Sequence, residues 1–309
     1  MSDFYLTLPS NSEPATNTTA KFSVYLPSKI ELPEKWEVAL VEIQYPFSWN
    51  NLTGRVSVGD STDNWIEVTF PSGYSTTLWV PPGYYETIQE LMAAIEYAKH
   101  EGASDLHQLA SQQPPEDIAI PNFNAILPEE VWKAEMARKH PELAAEFARR
   151  RILKKHPKAL AKGFYVAFNE TVKRTKFKKD PAMVQRVRFS PRLQYMLGLH
   201  KGSIGEMDLL GDYIPDLRGG FYSLYVYCSL VEPQIIGNKT APLLRLVNIE
   251  GRHGSISEKI FQSPHYLPIV TKEITRIDIA IKDDSAQLVP FDFGKTIVKL
   301  HVRKRRPVL

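Results

Sequence analysis

The chain has 309 residues, 43% of them hydrophobic and 24% charged, which excludes wholesale disorder and leaves enough length for a sizeable core. Its single cysteine, Cys228, excludes an internal disulfide, and no apolar run approaches the ~18 residues of a membrane span. The net charge of +3 hides an asymmetry: residues 131–179 hold 15 Lys and Arg against 4 Glu, a balance of +11, so the remainder carries −8.

In chain order, the first third reads as short strands. Phe4–Leu8 is followed by a polar loop, and Lys21–Leu26 alternates with Phe22, Val24 and Leu26 on one face. Trp36–Tyr45 starts with Trp36, Val38 and Leu40 in phase and then switches to Val41, Ile43 and Tyr45, which predicts a β-bulge near Leu40. Trp65–Phe70 and Thr76–Val80 follow as strands. Ile88, Leu91, Met92, Ile95 and Ala98 then fall at helical spacing, with Thr87 and Glu90 placed for a capping box. A proline-punctuated linker leads into a basic helical region broken at Pro141 and Pro157. Strand patterns resume at GFYVAFNETV and QRVRFS, and PRLQYMLGL reads as a short helix. The stretch from Tyr222 to Val247 reads as two strands around a surface loop, EPQIIGNKTAP, and Glu273–Ile281 and Lys295–Val302 close the chain as strands. The expected fold is mainly β, a β-sandwich or jelly roll with an inserted α-helical basic subdomain. The expected boundaries are 1–98 for the first part of the sandwich, 99–162 for the insertion and 163–309 for the second part.

The start, MSDFYLTLPS, lacks the basic and apolar regions of a signal peptide. The expectation is therefore a soluble protein made inside the cell and not secreted, with idle sequons at Asn17, Asn51, Asn169 and Asn238.

Catalytic patterns are missing. The sequence has no G-x-S-x-G, H-E-x-x-H, EF-hand or cysteine–histidine cluster. The GKT at Gly294–Thr296 lacks the upstream glycine of a phosphate loop, since Val289 stands there, and reads as a turn into the last strand. The eight histidines have no metal-ligand spacing and read as surface or helix-end residues. Cys228 lies in the alternation Leu224, Val226, Cys228, Leu230 and reads as a small core side chain. No enzyme, cofactor or metal is expected. The basic residues Arg149, Arg150, Arg151, Lys154, Lys155, Lys173, Arg174 and Lys176 could neutralise phosphates in weak, salt-sensitive contact with DNA or RNA; the other reading is a solvated face or contact with an acidic partner.

Several stretches resemble the penton, or minor capsid protein, of Polinton/Maverick elements, adintoviruses and virophages: FYLTLPSNS, WEVALVEIQYPFSW, VPPGYYETIQELMAAI, VRFSPRLQYMLGL, YSLYVYCSLVEPQIIGNKTAPLLRLV and VPFDFGKTIVKLHVRK. They are collinear and cover most of the chain outside residues 99–162, where the sequence departs from the family. The resemblance implies a single jelly roll, a homopentamer at the vertex of an icosahedral virion, and a double-jelly-roll major capsid protein as partner. The resemblance carries no role onto residues 99–162; packaged DNA is a candidate partner there on charge alone. Tyr225 and Tyr227, on the second apolar face of their strand, are the candidates for the subunit interface. The other reading is a carbohydrate- or receptor-binding jelly roll that uses Trp49, Trp65, Trp79 and Tyr84 as stacking platforms.

Overall fold

The computed structural model describes residues 3–54, 63–111, 155–200 and 208–305. The chain divides into two compact units, Met1–Asn50 with Gly220–Leu309, and Asn51–Gly219. The first 50 residues supply β1 (Asp3–Pro9), β2 (Lys21–Glu31) and β3 (Trp36–Pro46). The second unit supplies β4 (Trp65–Thr69), β5 (Ser75–Trp79), α1 (Ile88–Ser111), α2 (His156–Lys162), β6 (Phe164–Asn169), β7 (Arg174–Lys179), β8 (Arg186–Phe189), α3 (Pro191–Met196) and β9 (Asp208–Leu210). The chain then returns through β10 (Ser223–Cys228), β11 (Gln234–Ile236), β12 (Lys239–Ala241), β13 (Leu243–Asn248), β14 (Ile256–Ile260), β15 (Leu267–Pro268), β16 (Glu273–Lys282) and β17 (Ile297–Lys304).

The first unit holds two antiparallel sheets, ordered β1-β17-β3-β14 and β13-β10-β16-β2. Their pairing has a simple rule: β1 pairs with β17, β2 with β16, β3 with β14, and β10 with β13. Each long strand thus meets its counterpart from the other end of the unit, as in one long hairpin rolled into two sheets, which is the connectivity of a jelly roll. Period-2 alternation supplies the core. Phe22 on β2, Val38 and Ile43 on β3, Leu224 and Val226 on β10, Ile277, Ile279 and Ile281 on β16, and Val298, Leu300 and Val302 on β17 are all buried. Each large side chain fully buried contributes about 1.5–3 kcal/mol.

The expected bulge is present. Lys299 pairs with Glu42 and Leu300 with Leu40, so Val41 is the extra residue on β3. The insertion moves the core-facing set from Leu40 to Ile43, and both are fully buried. Gly294 precedes β17 at φ +90°, and a Cβ there would lie 2.8 Å from the Pro46 ring. With Thr296 buried behind it, the GKT stretch is the expected turn into the last strand. The EPQIIGNKTAP stretch differs from expectation. It is a hairpin, β11 paired with β12, turning at Gly237 with φ +60°. The β-branched residues Ile235, Ile236 and Thr240 flank a Gly-Asn turn, the pattern of a tight hairpin.

Cys228 is buried on β10, and burial pushes its thiol up to about 12. An aromatic disulfide reagent at neutral pH is therefore expected to leave the native protein unlabelled and to label it once under denaturant. Stoichiometric labelling within minutes in native buffer would contradict this placement.

The second unit has its own core, built from two three-stranded sheets, β5-β4-β8 and β6-β7-β9, with α1 and α2. The capping box at the start of α1 forms: Thr87 Oγ1 accepts from the Glu90 amide at 3.2 Å, and Glu90 Oε2 accepts from the Thr87 amide at 3.4 Å. Leu91, Ile95 and Ala98 on α1 are buried as their spacing predicts. Lys99 is also buried, and its charge is satisfied: Nζ donates to Glu96 at 2.8 Å and to the Phe164 carbonyl at 2.8 Å. Both chain ends of the unit are clasped by Arg192, which donates to the carbonyls of Asn51, Gly219 and Arg218 at 3.1, 2.8 and 3.3 Å. Asn51 Nδ2 adds a bond to the Leu217 carbonyl at 2.9 Å. The units therefore change over at 50/51 and 219/220, where the sequence suggested 98/99 and 162/163. The strands of residues 51–98 and 163–199 share the period of the sandwich strands, so periodicity alone does not separate them. Residues 112–154, which include most of the expected basic helices, lie outside the described residues.

Candidate interaction surfaces

Strand β10 is central in its sheet, between β13 and β16. Its alternation sends Leu224, Val226 and Cys228 into the core and leaves Tyr225 and Tyr227 half-buried on the outer face. Tyr225 stands opposite Leu246 on one side and Lys282 on the other; Tyr227 stands opposite Leu243 and Ala280. Leu246 is exposed, so the tyrosines continue an apolar strip to the sheet edge. Lys282 Nζ lies 5.5 Å from the Tyr227 ring centroid. Burial raises the Tyr227 phenol, helped by neighbouring Tyr225, so it stays neutral well past physiological pH. Beside Tyr227 the small side chain of Ala280 opens a hollow of about 280 Å³ that reaches Ser229, Arg276 and Asp278. Arg276 Nε donates to Asp278 at 2.7 Å, which fixes a charged rim on that hollow.

Of the expected basic contacts, Arg149, Arg150, Arg151 and Lys154 lie outside the described residues. Lys173, Arg174 and Lys176 belong to the β6–β7 hairpin, whereas Lys155 precedes α2 on a separate element. The hairpin cations have acceptors nearby. Lys173 Nζ is 2.9 Å from Glu170, Arg174 donates to the Gly211 carbonyl at 3.1 Å, and Lys176 is 3.9 Å from Asp208. Strand β7 was not legible from the pattern because its outward residues, Arg174, Lys176 and Lys178, masked the alternation of buried Thr175 and Phe177.

His156, at the start of α2, is 5% exposed and stacks on Phe70 with centroids 4.0 Å apart and planes 7° from parallel. Tyr74 stacks 5.2 Å away, and Ser72 Oγ lies 3.1 Å from Nε2, while Nδ1 has no hydrogen-bond partner among the described residues. His156 is a helix-end histidine, as one half of the expectation has it, but its ring is buried: it is core material for a helix that presents only Leu160 beside it as fully buried. Burial holds the imidazole below its ordinary value, with Lys155 and Lys158 the charged groups lining the same cleft. The folded form thus disfavours the proton that the unfolded chain accepts. The contribution of His156 to stability is expected to be constant above about pH 6.5 and to fall below it through the depressed folded value, by at most about 1.4 kcal/mol per pH unit. Denaturant melts of His156→Phe against the parent chain at pH 7.5 and 5.5 check this. An equal pH dependence in both would remove His156 as its source.

Among the aromatics of the carbohydrate reading, Trp49 is buried against Phe47, Phe221 and Phe291, with centroids 4.4, 5.4 and 5.5 Å away. It is a core residue of the first unit. Trp65 and Trp79 stand directly opposite each other on β4 and β5. Among the described residues no helix is long and apolar enough to cross a membrane.

Strand order and surfaces together define a jelly-roll chain that carries a second folded unit between the strands β3 and β10. Its structure is similar to that of the mavirus penton protein, at 10% sequence identity and a TM-score of 0.45, over 98% of this chain and 100% of that one. It is also similar to a chain of the Sputnik virophage structure determined by cryo-electron microscopy, at 9% identity and a TM-score of 0.43, over 98% of both chains. No family model and no curated protein matches the sequence.

Proposed function

We propose that the chain is a structural minor capsid protein whose five copies close the vertex of an icosahedral virion. The single observation that carries this reading is the eight-strand jelly-roll wrap, an architecture used for capsid shells and lectins. The stretches that resemble pentons include strands of that wrap: FYLTL is β1, WEVALVEIQY is β3, SLYVYC is β10 and IVKLHVRK is β17. Fold alone does not assign a role. Tyr225 and Tyr227 add the second support: they form a half-buried aromatic strip with exposed Leu246 beside it, the composition of a protein interface core. Five-fold closure is heterologous, so this strip would meet a different patch on the next copy. The role is architectural and needs neither cofactor nor catalysis. Its partners are four further copies of itself, a double-jelly-roll major capsid protein, and packaged DNA met through the basic segment.

Co-expression with the double-jelly-roll capsid protein of the same element tests this placement. The expected result is closed particles that contain the chain at their vertices by cryo-electron microscopy. Particles that close without it, with the chain left soluble, would overturn the reading.

A further inference from the structure

The sheet β5-β4-β8 buries Ile66, Val68, Leu78 and Val187 in the core of the second unit. Its other face carries a different set: Trp79 and Thr77 from β5, Trp65 and Glu67 from β4, and Arg188 from β8. Trp65 is opposite Trp79, and Glu67 is flanked by Thr77 on one side and Arg188 on the other. Directly opposed side chains in such a ladder have Cβ atoms about 4.5–5.5 Å apart, so two indoles and a polar row form one continuous surface. Trp79 is 46% exposed. Arg188 Nη1 is 3.3 Å from Glu67 Oε2, and its guanidinium lies 5.8 Å from the Trp65 ring centroid. The ion pair and the cation–π contact hold both polar groups beside the indoles.

We propose that this face binds a neutral oligosaccharide. A pyranose ring offers polarised C–H groups on its flat side and hydroxyls at its rim. The negative π face of an indole attracts the former. The adjacent carboxylate accepts from hydroxyls while the guanidinium donates to them, so the pair Glu67–Arg188 can engage neighbouring hydroxyls on one sugar. Charge selects this occupant over the other polymer that stacks on aromatics. A single-stranded nucleic acid needs a uniformly positive track beside the rings. Here Glu67 sits in the middle of the face and offsets Arg188, and an acidic glycan would meet the same carboxylate. Arg186 lies further along β8, opposite Thr69 and away from the tryptophans. The face belongs to residues 51–219 and the β10 strip to the other unit, so loss of glycan binding and loss of assembly are separate readouts.

The test uses the full chain on an array of neutral glucan, mannan and chitin oligosaccharides, beside sialylated and sulfated glycans and a single-stranded oligonucleotide. Neutral hexasaccharides retained on the array are then titrated while the indole N–H resonances are followed by NMR. The expected result is retention of a neutral glycan with affinity constant within about twofold between ~50 and ~300 mM salt, since no net charge is neutralised. Trp79→Ala, on the solvent face, should weaken binding by about tenfold or more, and the isosteric Glu67→Gln by at least about threefold, with unchanged thermal melts. No neutral glycan retained, Trp79→Ala binding like the parent, or binding confined to acidic glycans or the oligonucleotide and lost with salt would each overturn the proposal.

Discussion

Replacing Tyr225 and Tyr227 together by glutamate is expected to abolish the proposed pentamer while leaving the sandwich folded. Both side chains project from the outer face of β10, away from the core that Leu224, Val226 and Cys228 fill. On that face, substitution changes local strand preference by about 1 kcal/mol or less. At a subunit contact the same change places two carboxylates beside the single cation Lys282, so at least one is buried without a partner, which costs about 3–5 kcal/mol. One such charge in each of five contacts offsets much of the surplus that holds a typical interface together. Sedimentation velocity of the double variant beside the parent, with far-ultraviolet circular dichroism of both, separates the outcomes. A folded double variant that sediments with the parent would remove β10 from the interface.

A second large effect concerns the insertion. Joining Asn50 to Gly220 through a short Gly-Ser link, with residues 51–219 removed, is expected to leave a folded sandwich. The flanking residues are already adjacent, since the rings of Trp49 and Phe221 are 5.4 Å apart within the first unit. All eight long strands of the wrap lie outside the deleted segment. The excised segment is expected to fold by itself, because its core residues all come from 51–219 and Arg192 clasps its two ends. Amide dispersion in NMR spectra of the two separate chains reads the result directly. A collapsed but undispersed spectrum for the shortened sandwich would show that it does not fold without residues 51–219.

Much of the sandwich was legible because its strands have one wet and one dry face. Ile277, Ile279 and Ile281 announced β16, and the phase change in Trp36–Tyr45 announced the bulge at Val41. The unit boundary was not legible, because β4, β5, β6 and β8 alternate in the same way and nothing local says which sheet a strand joins. Strand β7 hid behind its lysines and arginines, and the Gly-Asn hairpin hid among polar loop residues. The surfaces divide along the same line. Tyr225 and Tyr227 could be named from alternation, since both faces of β10 are apolar. The pairing of Trp65 with Trp79, and of Glu67 with Arg188, depends on register between strands, which for β4 and β8 joins positions more than a hundred residues apart. Register of that kind is set by the whole fold and leaves no local trace.

Under the proposed function, five copies of this chain close into a ring. Native mass spectrometry of the purified full chain over a concentration series counts the copies. The expected spectrum is dominated by a pentamer of a 35.2 kDa subunit. A chain that stays monomeric at every concentration, or that closes with another number of copies, would contradict it.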